Sequence, residues 1–200
     1  MIAGLILAAG RSTRMGRPKA LLTCHDGRTF TRALVHALRR GGVSRVLIVG
    51  RPEDRALQAE VEAIESPVTF VANADADAGG QLSSVIAGLR EADRPGISAV
   101  MVVPVDAPLV TAETVSSLAA VFGASGAPVV RARYQGRNGH PVIFSREVFA
   151  ELRSADPGVG AKAVLRAHAT GIVNVDVDDA GVLGDVDTPE DYRRLLADQT

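Results

Sequence analysis

The sequence of 200 residues is poor in several residue types, and each shortage excludes a class of protein. With one cysteine, Cys24, neither a disulfide framework nor a cysteine-ligated metal cluster can form within the chain. Tryptophan is absent and aromatic residues make up 4%, which leaves mainly Val, Leu, Ile and Ala to build a core. The net charge of −1 provides no general basic surface, so nucleic acids and membrane surfaces are not expected partners. Any cationic site must therefore be local.

Long apolar runs are also missing. No run is long enough to span a bilayer. The N-terminal run Ile2–Ala9 is too short for the hydrophobic region of a signal peptide. Together with the single cysteine, these features predict a cytoplasmic protein. The length predicts one domain that covers residues 1–200.

Strand and helix patterns alternate along most of the chain. The predicted strands cover residues 2–8, 45–49, 68–72, 98–105 and 172–177, and the predicted helices cover residues 29–40, 53–64, 81–91, 111–121, 146–153 and 160–168 and begin again at 188. This alternation favours a doubly wound, mainly parallel α/β sheet with helices on both faces. Two short strands at 128–134 and 141–144 predict a small antiparallel insertion, with the polar stretch QGRNGH at the hairpin tip.

Ligands of such sheets bind at the carboxyl ends of the strands, which directs attention to the segment LAAGRSTRMGRPKAL after the first strand. It is neither a P-loop nor a dinucleotide fingerprint. Its small residues let backbone N–H groups approach an anion. Arg11 and Arg14 can fork onto phosphate oxygens, and Lys19 adds a mobile charge. The segment favours a triphosphate site, and the alternative is a solvated basic loop.

Carboxylates follow two other predicted strands. Asp106 comes after the fourth strand, in VVPVDAPLV, where it could hold Mg²⁺ shared with substrate phosphates or could cap a helix. Asp185 and Asp187, in GDVDTPEDY, lie on one side if the segment is extended. They could bind the same metal, or they could belong to a turn before a helix that Thr188 caps.

Five stretches together resemble the molybdenum cofactor-type nucleotidyltransferases, and most closely the molybdenum cofactor cytidylyltransferases. They are LILAAGRSTRMGRPKALL, GGQLSSVIAGL, VVPVDAPLVT, GRNGHPVIFS and GDVDTPEDYRRLL. They extend from residue 5 to residue 196, and the spacing G-x-x-x-R-M-G-x-x-K is highly specific for this superfamily. The resemblance implies a three-layer sandwich like that of the nucleotide-diphospho-sugar transferases. It also implies an Mg²⁺-dependent transfer of a nucleoside monophosphate with release of pyrophosphate.

The resemblance also implies roles for individual residues. Arg14, Lys19 and Asp106 would be catalytic, and Asp106 and Asp187 would hold the metal, with Asp185 as the alternative to Asp187. The implied nucleotide-binding residues are Leu7, Ala8, Ala9, Gly10, Arg11, Lys19, Gly80, Gln81, Ser83 and Asp106, with Gly79–Ser84 as a loop beside base and ribose. His140, near the predicted hairpin tip, is a candidate contact for the phosphate or the pterin of the acceptor.

The implied substrates are CTP and a molybdopterin-type phosphate acceptor, with a molybdoenzyme or its chaperone as a further partner. Relatives that transfer GMP have a second glycine where this chain has Ala9, which favours CTP over GTP. Many relatives have a Gly-Asp-x-Gly-Ala-Arg stretch, in which this chain has Gly158 and Lys162 at the acidic and basic positions. The acceptor is therefore open: methylerythritol phosphate and sugar phosphates are alternatives, and so is a non-catalytic nucleotide-binding or cofactor-binding chaperone. Cys24 and His25 receive no functional role.

Overall fold

The computed structural model describes residues 1–65 and 67–197 and contains one seven-stranded sheet. The strands are β1 (Ile2–Leu7), β2 (Arg45–Gly50), β3 (Val68–Ala72), β4 (Ala99–Pro104), β5 (Val129–Tyr134), β6 (Arg137–Ser145) and β7 (Ile172–Asp176). Their order across the sheet is β3-β2-β1-β4-β6-β5-β7. Within the described residues, β6 alone runs antiparallel to its neighbours, β4 and β5. The predicted mainly parallel sheet with an antiparallel insertion is confirmed, and the insertion extends the main sheet.

Helices cover both faces of this sheet. They are α1 (Phe30–Arg40), α2 (Arg55–Glu62), α3 (Ala76–Ala92), α4 (Ala112–Ser125), α5 (Phe149–Ser154), α6 (Lys162–Ala167) and α7 (Pro189–Ala197), with short 3₁₀ helices at Lys19–Leu21, Arg146–Val148 and Ala180–Leu183. One core cluster contains residues of α1, α2, α4 and α7, and the other contains residues of α3, α5 and α6. The three predicted layers are therefore present. None of the helices in the described residues is long and apolar enough to cross a membrane.

The sequence of β1 explains its place near the centre of the sheet. Leu5 and Ile6 are completely buried, and these consecutive residues belong to the two opposite core clusters. A strand that is buried on both faces needs apolar residues at every position, which the run in β1 supplies. Because β2 and β4 flank β1 in parallel, the carboxyl ends of these strands meet at one edge of the sheet.

The hairpin between β5 and β6 has a shorter tip than the sequence predicted. Gln135 and Gly136 have φ angles of 48° and 76°, which form a two-residue turn of the kind that suits a twisted hairpin. Residues 137–140 belong to β6, and the first two of them, Arg137 and Asn138, pair with Tyr134 and Arg133 of β5. The prediction that His140 lies at the hairpin tip was therefore wrong, because two residues with positive φ are enough to reverse the chain.

The predicted loop Gly79–Ser84 is also different in the structure. Helix α3 begins at Ala76, and Gly80 interrupts it with a φ of 54°. Only glycine adopts this conformation readily, so the chain bends there without leaving the helix for a full loop. Residues 79–84 thus form a bent junction inside α3, which places the start of the second helical segment at the same sheet edge as the end of β1.

Candidate active site

A cavity of about 420 Å³ lies at the carboxyl ends of β1 and β4. Five parts of the chain form it: the loop after β1, Arg51 directly after β2, the end of β4, the first part of α3 with its bent junction, and the segment before α7. The sequence-predicted residues that line it are Leu7, Ala9, Gly10, Arg11, Arg14, Lys19, Gly80, Gln81, Asp106 and Asp187. The structure therefore brings most of the candidate residues to one place, while their individual roles stay predictions.

Two predicted nucleotide-binding residues lie outside this cavity. Ala8 packs in the core, and its amide donates to the Val49 carbonyl at 2.8 Å. The Ser83 hydroxyl lies 2.7 Å from the Gly80 carbonyl and 2.9 Å from Asn73 Nδ2. Its neighbour Ser84 lines the cavity instead. The choice between adjacent serines depends on how α3 bends, which a sequence pattern does not specify.

The loop after β1 has a fixed shape because Ser12 organises it. The Ser12 carbonyl accepts from the amides of Met15 at 3.1 Å and Gly16 at 3.0 Å, and its hydroxyl accepts from the Lys19 amide at 3.1 Å. The side chain of Met15 is buried and anchors the middle of the loop in the core. The loop therefore delivers Lys19, which is 9% exposed, to the wall of the cavity.

Lys19 joins two carboxylates that are distant in the sequence. Its Nζ donates to Asp106 Oδ2 at 3.0 Å and to Asp187 Oδ1. Arg14 Nη2 lies 2.8 Å from the second oxygen of Asp187. The hydrogen bond from Lys19 holds the pKa of Asp187 below its usual range. Burial lowers the pKa of Lys19, but the two carboxylates raise it by more. We call these four residues the Lys19 cluster.

Backbone contacts hold the two carboxylates of the Lys19 cluster beside each other. The Val186 amide donates to the Asp106 carbonyl at 2.8 Å, which ties the segment before α7 to the end of β4. Asp191 Oδ2 accepts from the amides of Asp187 at 3.2 Å and Thr188 at 2.9 Å. The Thr188 hydroxyl accepts from the Asp191 amide at 3.2 Å, so the predicted cap of α7 is confirmed. The helix cap therefore also positions Asp187.

Asp185 lies near the Lys19 cluster without joining it. Its side chain has no hydrogen-bond partner in the described part of the chain, whereas Asp187 contacts both Lys19 and Arg14. Partial burial, followed by the charges of Asp106 and Asp187, raises the pKa of Asp185. Asp187 therefore shares the Lys19 ammonium group with Asp106 and Asp185 does not, while the choice of Asp187 over Asp185 as a metal ligand stays a prediction.

A second charged cluster, which the sequence analysis missed, lies across the cavity. Asp77 accepts from Arg11 and Arg51, with Arg11 Nε at 2.8 Å and Arg51 Nη1 at 3.1 Å. Hydrogen bonds from these arginines hold the pKa of Asp77 well below its usual range. Arg51 Nε also donates to the Ala9 carbonyl at 2.9 Å. Arg51 follows β2 directly, so the rule that ligands bind at strand ends could have identified it.

Asp179 is another residue that the sequence analysis did not single out. It is buried, and its carboxylate accepts from the Thr111 amide at 2.9 Å, the Thr114 hydroxyl at 2.7 Å and the Gly181 amide at 2.9 Å. These bonds join the start of α4 to the 3₁₀ helix that precedes Asp187. Asp179 is one of several aspartates between residues 176 and 187, and no local pattern distinguishes it from the others.

His140 lies in β6 and does not line the cavity. Its Nδ1 is buried without a hydrogen-bond partner in the described residues. Burial lowers the pKa of His140, against smaller opposing contributions from Asp106 and the Val102 backbone. His140 is therefore a partly buried side chain outside the cavity, and its predicted contact with the acceptor stays a prediction.

Asp106 and Asp187 have the chemistry of a magnesium site. Both supply oxygen atoms, which Mg²⁺ prefers, and Mg²⁺ is commonly held by one or two carboxylates together with substrate phosphates and water. Within the described residues, no three His, Cys, Asp or Glu side chains are grouped as a metal site. The two carboxylates would therefore fit a metal ion that completes its coordination with phosphate oxygens and water.

Comparison with known proteins identifies relatives across the whole chain. Residues 4–172 match the MobA-like NTP transferase domain family. The chain is 29% identical to the purine catabolism protein PucB of Bacillus subtilis, over 94% of this chain and 93% of that protein. It is 30% identical to the nicotine blue oxidoreductase of Paenarthrobacter nicotinovorans, over 98% and 96%. It is 36% identical to a molybdenum cofactor guanylyltransferase of Xanthomonas euvesicatoria, over 58% of this chain and about half (53%) of that protein.

Solved structures show the same similarity. The crystal structure of Rv0371c from Mycobacterium tuberculosis has a TM-score of 0.82 and 29% identity, with 98% of each chain covered. A second structure of Rv0371c, a complex with manganese, has a TM-score of 0.75 and 31% identity over 98% of each chain. The family match and these structures confirm the fold and the resemblance to molybdenum cofactor-type nucleotidyltransferases at the level of the family.

Proposed function

We propose that this chain, which belongs to the MobA-like NTP transferase domain family, transfers CMP from CTP to the terminal phosphate of a molybdopterin-type acceptor and releases pyrophosphate. The family supports nucleotidyl transfer. The relatives that are named molybdenum cofactor guanylyltransferases support the acceptor class. The choice of CTP over GTP is the more specific part of the proposal, and it depends on Ala9.

The Lys19 cluster is the observation that carries this proposal. It places a nearly buried ammonium group, a guanidinium group and two carboxylates around one side of an open cavity. A protein that only binds a nucleotide needs cations for the phosphates, but it has no need for carboxylates that hold those same cations. A transferase needs both, because a metal ion and the cations act together on the reacting phosphates.

In the proposed reaction, the acceptor phosphate attacks the α-phosphorus of the nucleotide in line with the departing pyrophosphate. Lys19 and Arg14 bind the phosphates and neutralise the charge that develops on the leaving group. No side chain has to act as a general base, because a phosphate acceptor is already ionised at neutral pH. Asp106 and Asp187 would hold Mg²⁺, which when bound would neutralise phosphate charge and align the phosphates. The manganese complex of the related Rv0371c supports a divalent metal at this fold.

The proposed preference for CTP rests on the space beside Ala9. Ala9 lines the cavity and its carbonyl is held by Arg51, so the chain cannot easily move its methyl group away from a bound base. A pyrimidine needs less room than a purine. One methyl group contributes about 1–3 kcal/mol to such discrimination, which corresponds to a preference of roughly 10- to 200-fold. The preference should therefore be measurable but not absolute.

The proposal is tested by measuring pyrophosphate release from CTP and GTP with molybdopterin, compared as kcat/KM. We expect CTP to be preferred, and we expect Ala9→Gly to shift the ratio towards GTP. Equal use of the two nucleotides, or a preference for GTP, would refute the cytidylyl assignment. A further variant, Asp106→Asn, should abolish release while nucleotide binding persists. Nucleotide binding without any pyrophosphate release by the native protein would instead indicate a binding protein.

A further inference from the structure

A second cavity, which shares no lining residue with the first, has a strongly cationic lining. It has a volume of about 320 Å³ and lies between α6 and the edge of the sheet. Arg131 and Asn174 come from β5 and β7, and Lys162 and Arg166 come from α6. We call it the α6 pocket. Among the described residues, no Asp or Glu lines this pocket.

Arg131 is the central group of the α6 pocket. It is half-buried, and its Nε and Nη2 donate to one neutral acceptor, Asn174 Oδ1, at 3.1 and 2.9 Å. A guanidinium group has five N–H donors, so three donors of Arg131 have no partner among the described residues. Burial, and then the charge of Arg133, lowers the pKa of Arg131, and no carboxylate of the described residues opposes this effect.

A residue pair two positions further along β5 and β7 shows how Arg131 could have been neutralised. Residues on β5 and β7 pair in parallel register, so that Arg131 lies opposite Asn174 and Arg133 lies opposite Asp176. Arg133 makes a bidentate ion pair with Asp176, with both N···O distances 2.6 Å. Two residues earlier on each strand, the equivalent cross-strand contact joins Arg131 to the side-chain amide of Asn174. Within residues 1–65 and 67–197, the positive charge of Arg131 therefore has no carboxylate partner in the α6 pocket.

Helix α6 adds two further cations to that charge. Lys162 and Arg166 are four residues apart, so they lie on the same face of the helix, where like charges destabilise it. Both are exposed, and neither has an ion pair within the described ranges 1–65 and 67–197. Three cations around one cavity repel one another unless an anion lies between them.

We propose that the α6 pocket binds an oxyanion of the phosphate class, held by Arg131 with Lys162 and Arg166. Arginine is suited to this ligand because two of its parallel N–H groups can contact two oxygens at once. The pocket is lined by residues other than those of the Lys19 cluster, so this anion is additional to the nucleotide proposed there. The ligand can be free phosphate or a phosphate group of a larger molecule.

The test follows the Nε–H resonance of Arg131 by NMR while inorganic phosphate, and separately CTP, is added to the whole protein. We expect the resonance to shift saturably. A shift with phosphate alone indicates a site for the free anion, and a shift that requires CTP indicates a site for a phosphate group of the nucleotide. No shift with either ligand would overturn the proposal. The Arg14 resonance reports independently on the Lys19 cluster.

Asn174→Asp is the decisive variant because it changes one group at nearly constant shape. It should give Arg131 the carboxylate that Asp176 gives Arg133, and it should weaken the titration of the Arg131 resonance at least roughly tenfold through the lost charge. Arg40→Gln removes an exposed cation elsewhere and should leave the titration unchanged. An unchanged thermal midpoint shows that each variant is folded. A folded Asn174→Asp protein that binds phosphate as tightly as the native one would refute the site.

Discussion

Replacing Lys19 by methionine should reduce kcat far more than it changes nucleotide binding. Lys19 Nζ makes two charged hydrogen bonds within the protein, to Asp106 and to Asp187. Hydrogen bonds to charged groups contribute about 1.5–3 kcal/mol each. To contact a phosphate, Nζ must give up one or both of these bonds, so its gain in the ground-state complex is largely offset.

This offset in binding energy determines how the effect of Lys19→Met divides between KM and kcat. If one exchanged bond replaces another of similar strength, KM should change by no more than about tenfold, or about 1.4 kcal/mol. Lys19 would make an additional interaction with the charge that develops on the leaving phosphate, and this interaction exists only in the transition state. Removal of one such donor typically lowers kcat by about 10²–10³-fold, or about 2.7–4 kcal/mol. The effect of Lys19→Met should therefore fall mainly on kcat.

The assay is the initial rate of pyrophosphate release over a series of nucleotide concentrations, at saturating acceptor and Mg²⁺. Arg40→Met provides the control, because it also removes one cation, but at an exposed position of α1 that belongs neither to the Lys19 cluster nor to the contacts of Asp77. Its kcat and KM should stay near those of the native protein. The reasoning is refuted if Lys19→Met raises KM by more than roughly a hundredfold while kcat falls less than threefold, since Lys19 would then be a ground-state anchor.

The pH dependence of stability gives a second measurement on the same variant. Lys19 lowers the pKa of Asp187 in the folded protein, so this contact stabilises the fold above the ordinary carboxyl pKa of about 4. The stabilisation is lost as the pH falls through the lowered pKa, because the carboxylate is then protonated in both states. The difference in Tm between the native protein and Lys19→Met should therefore be larger at neutral pH than in acid. A difference that grows in acid would contradict the assignment.

Three further changes test other parts of the structure. Asp77→Asn should tighten nucleotide binding, measured by calorimetry, by up to about fivefold, since it releases Arg11 from an exposed ion pair. Asp75→Asn, at a residue outside the cavity, is the control, and weaker binding by Asp77→Asn would contradict this expectation. Burial raises the pKa of Cys24 to about 11, so a chromogenic thiol reagent at pH 8 should label the folded protein at least roughly a hundredfold more slowly than the unfolded one; equal rates would show that the thiol is accessible. Asp179→Ala should lower the free energy of unfolding in urea by about 1–3 kcal/mol or more, because it leaves buried donors without an acceptor; an unchanged midpoint would show that these bonds are not needed.

The sequence predicts those parts of the site that follow from local rules. Lys19 and Asp106 each follow a strand whose apolar run marks it as buried, and the ends of parallel strands meet at one edge. The cap at Thr188 could likewise be recognised from its neighbours. These rules identify both partners of the contact between Lys19 and Asp106, although the residues are 87 positions apart.

The remaining contacts depend on how distant segments pack. Asp77 lies in the first turn of a helix, where an acidic residue needs no explanation beyond the helix dipole, yet it joins two arginines from other strand ends. Asp179 bonds to a threonine 68 positions away. His140 was misplaced because its location depends on whether the turn takes two residues or six. In each case the deciding quantity is a tertiary distance, and local composition carries no information about it.

The loop after β1 shows how a chain of nearly neutral charge can hold so many cations in ten residues. Each of its four cations has a partner from a distant segment: Asp77 for Arg11, Asp187 for Arg14, the Tyr192 ring for Arg17, and Asp106 with Asp187 for Lys19. The cavity is thus close to electrically balanced before any ligand binds.

This balance determines what kind of ligand can bind well. A bare anion that takes Lys19 and Arg14 leaves Asp106 and Asp187 without cations, and partly buried carboxylates in that state are unfavourable. Asp106 and Asp187 would instead keep a cationic partner if the phosphate ligand were bound together with a divalent cation that they hold. Each cation and each carboxylate of the Lys19 cluster would then still contact a group of opposite charge. The arrangement of the Lys19 cluster would therefore favour a metal-bound nucleotide over a free polyanion, as the proposed nucleotidyl transfer requires.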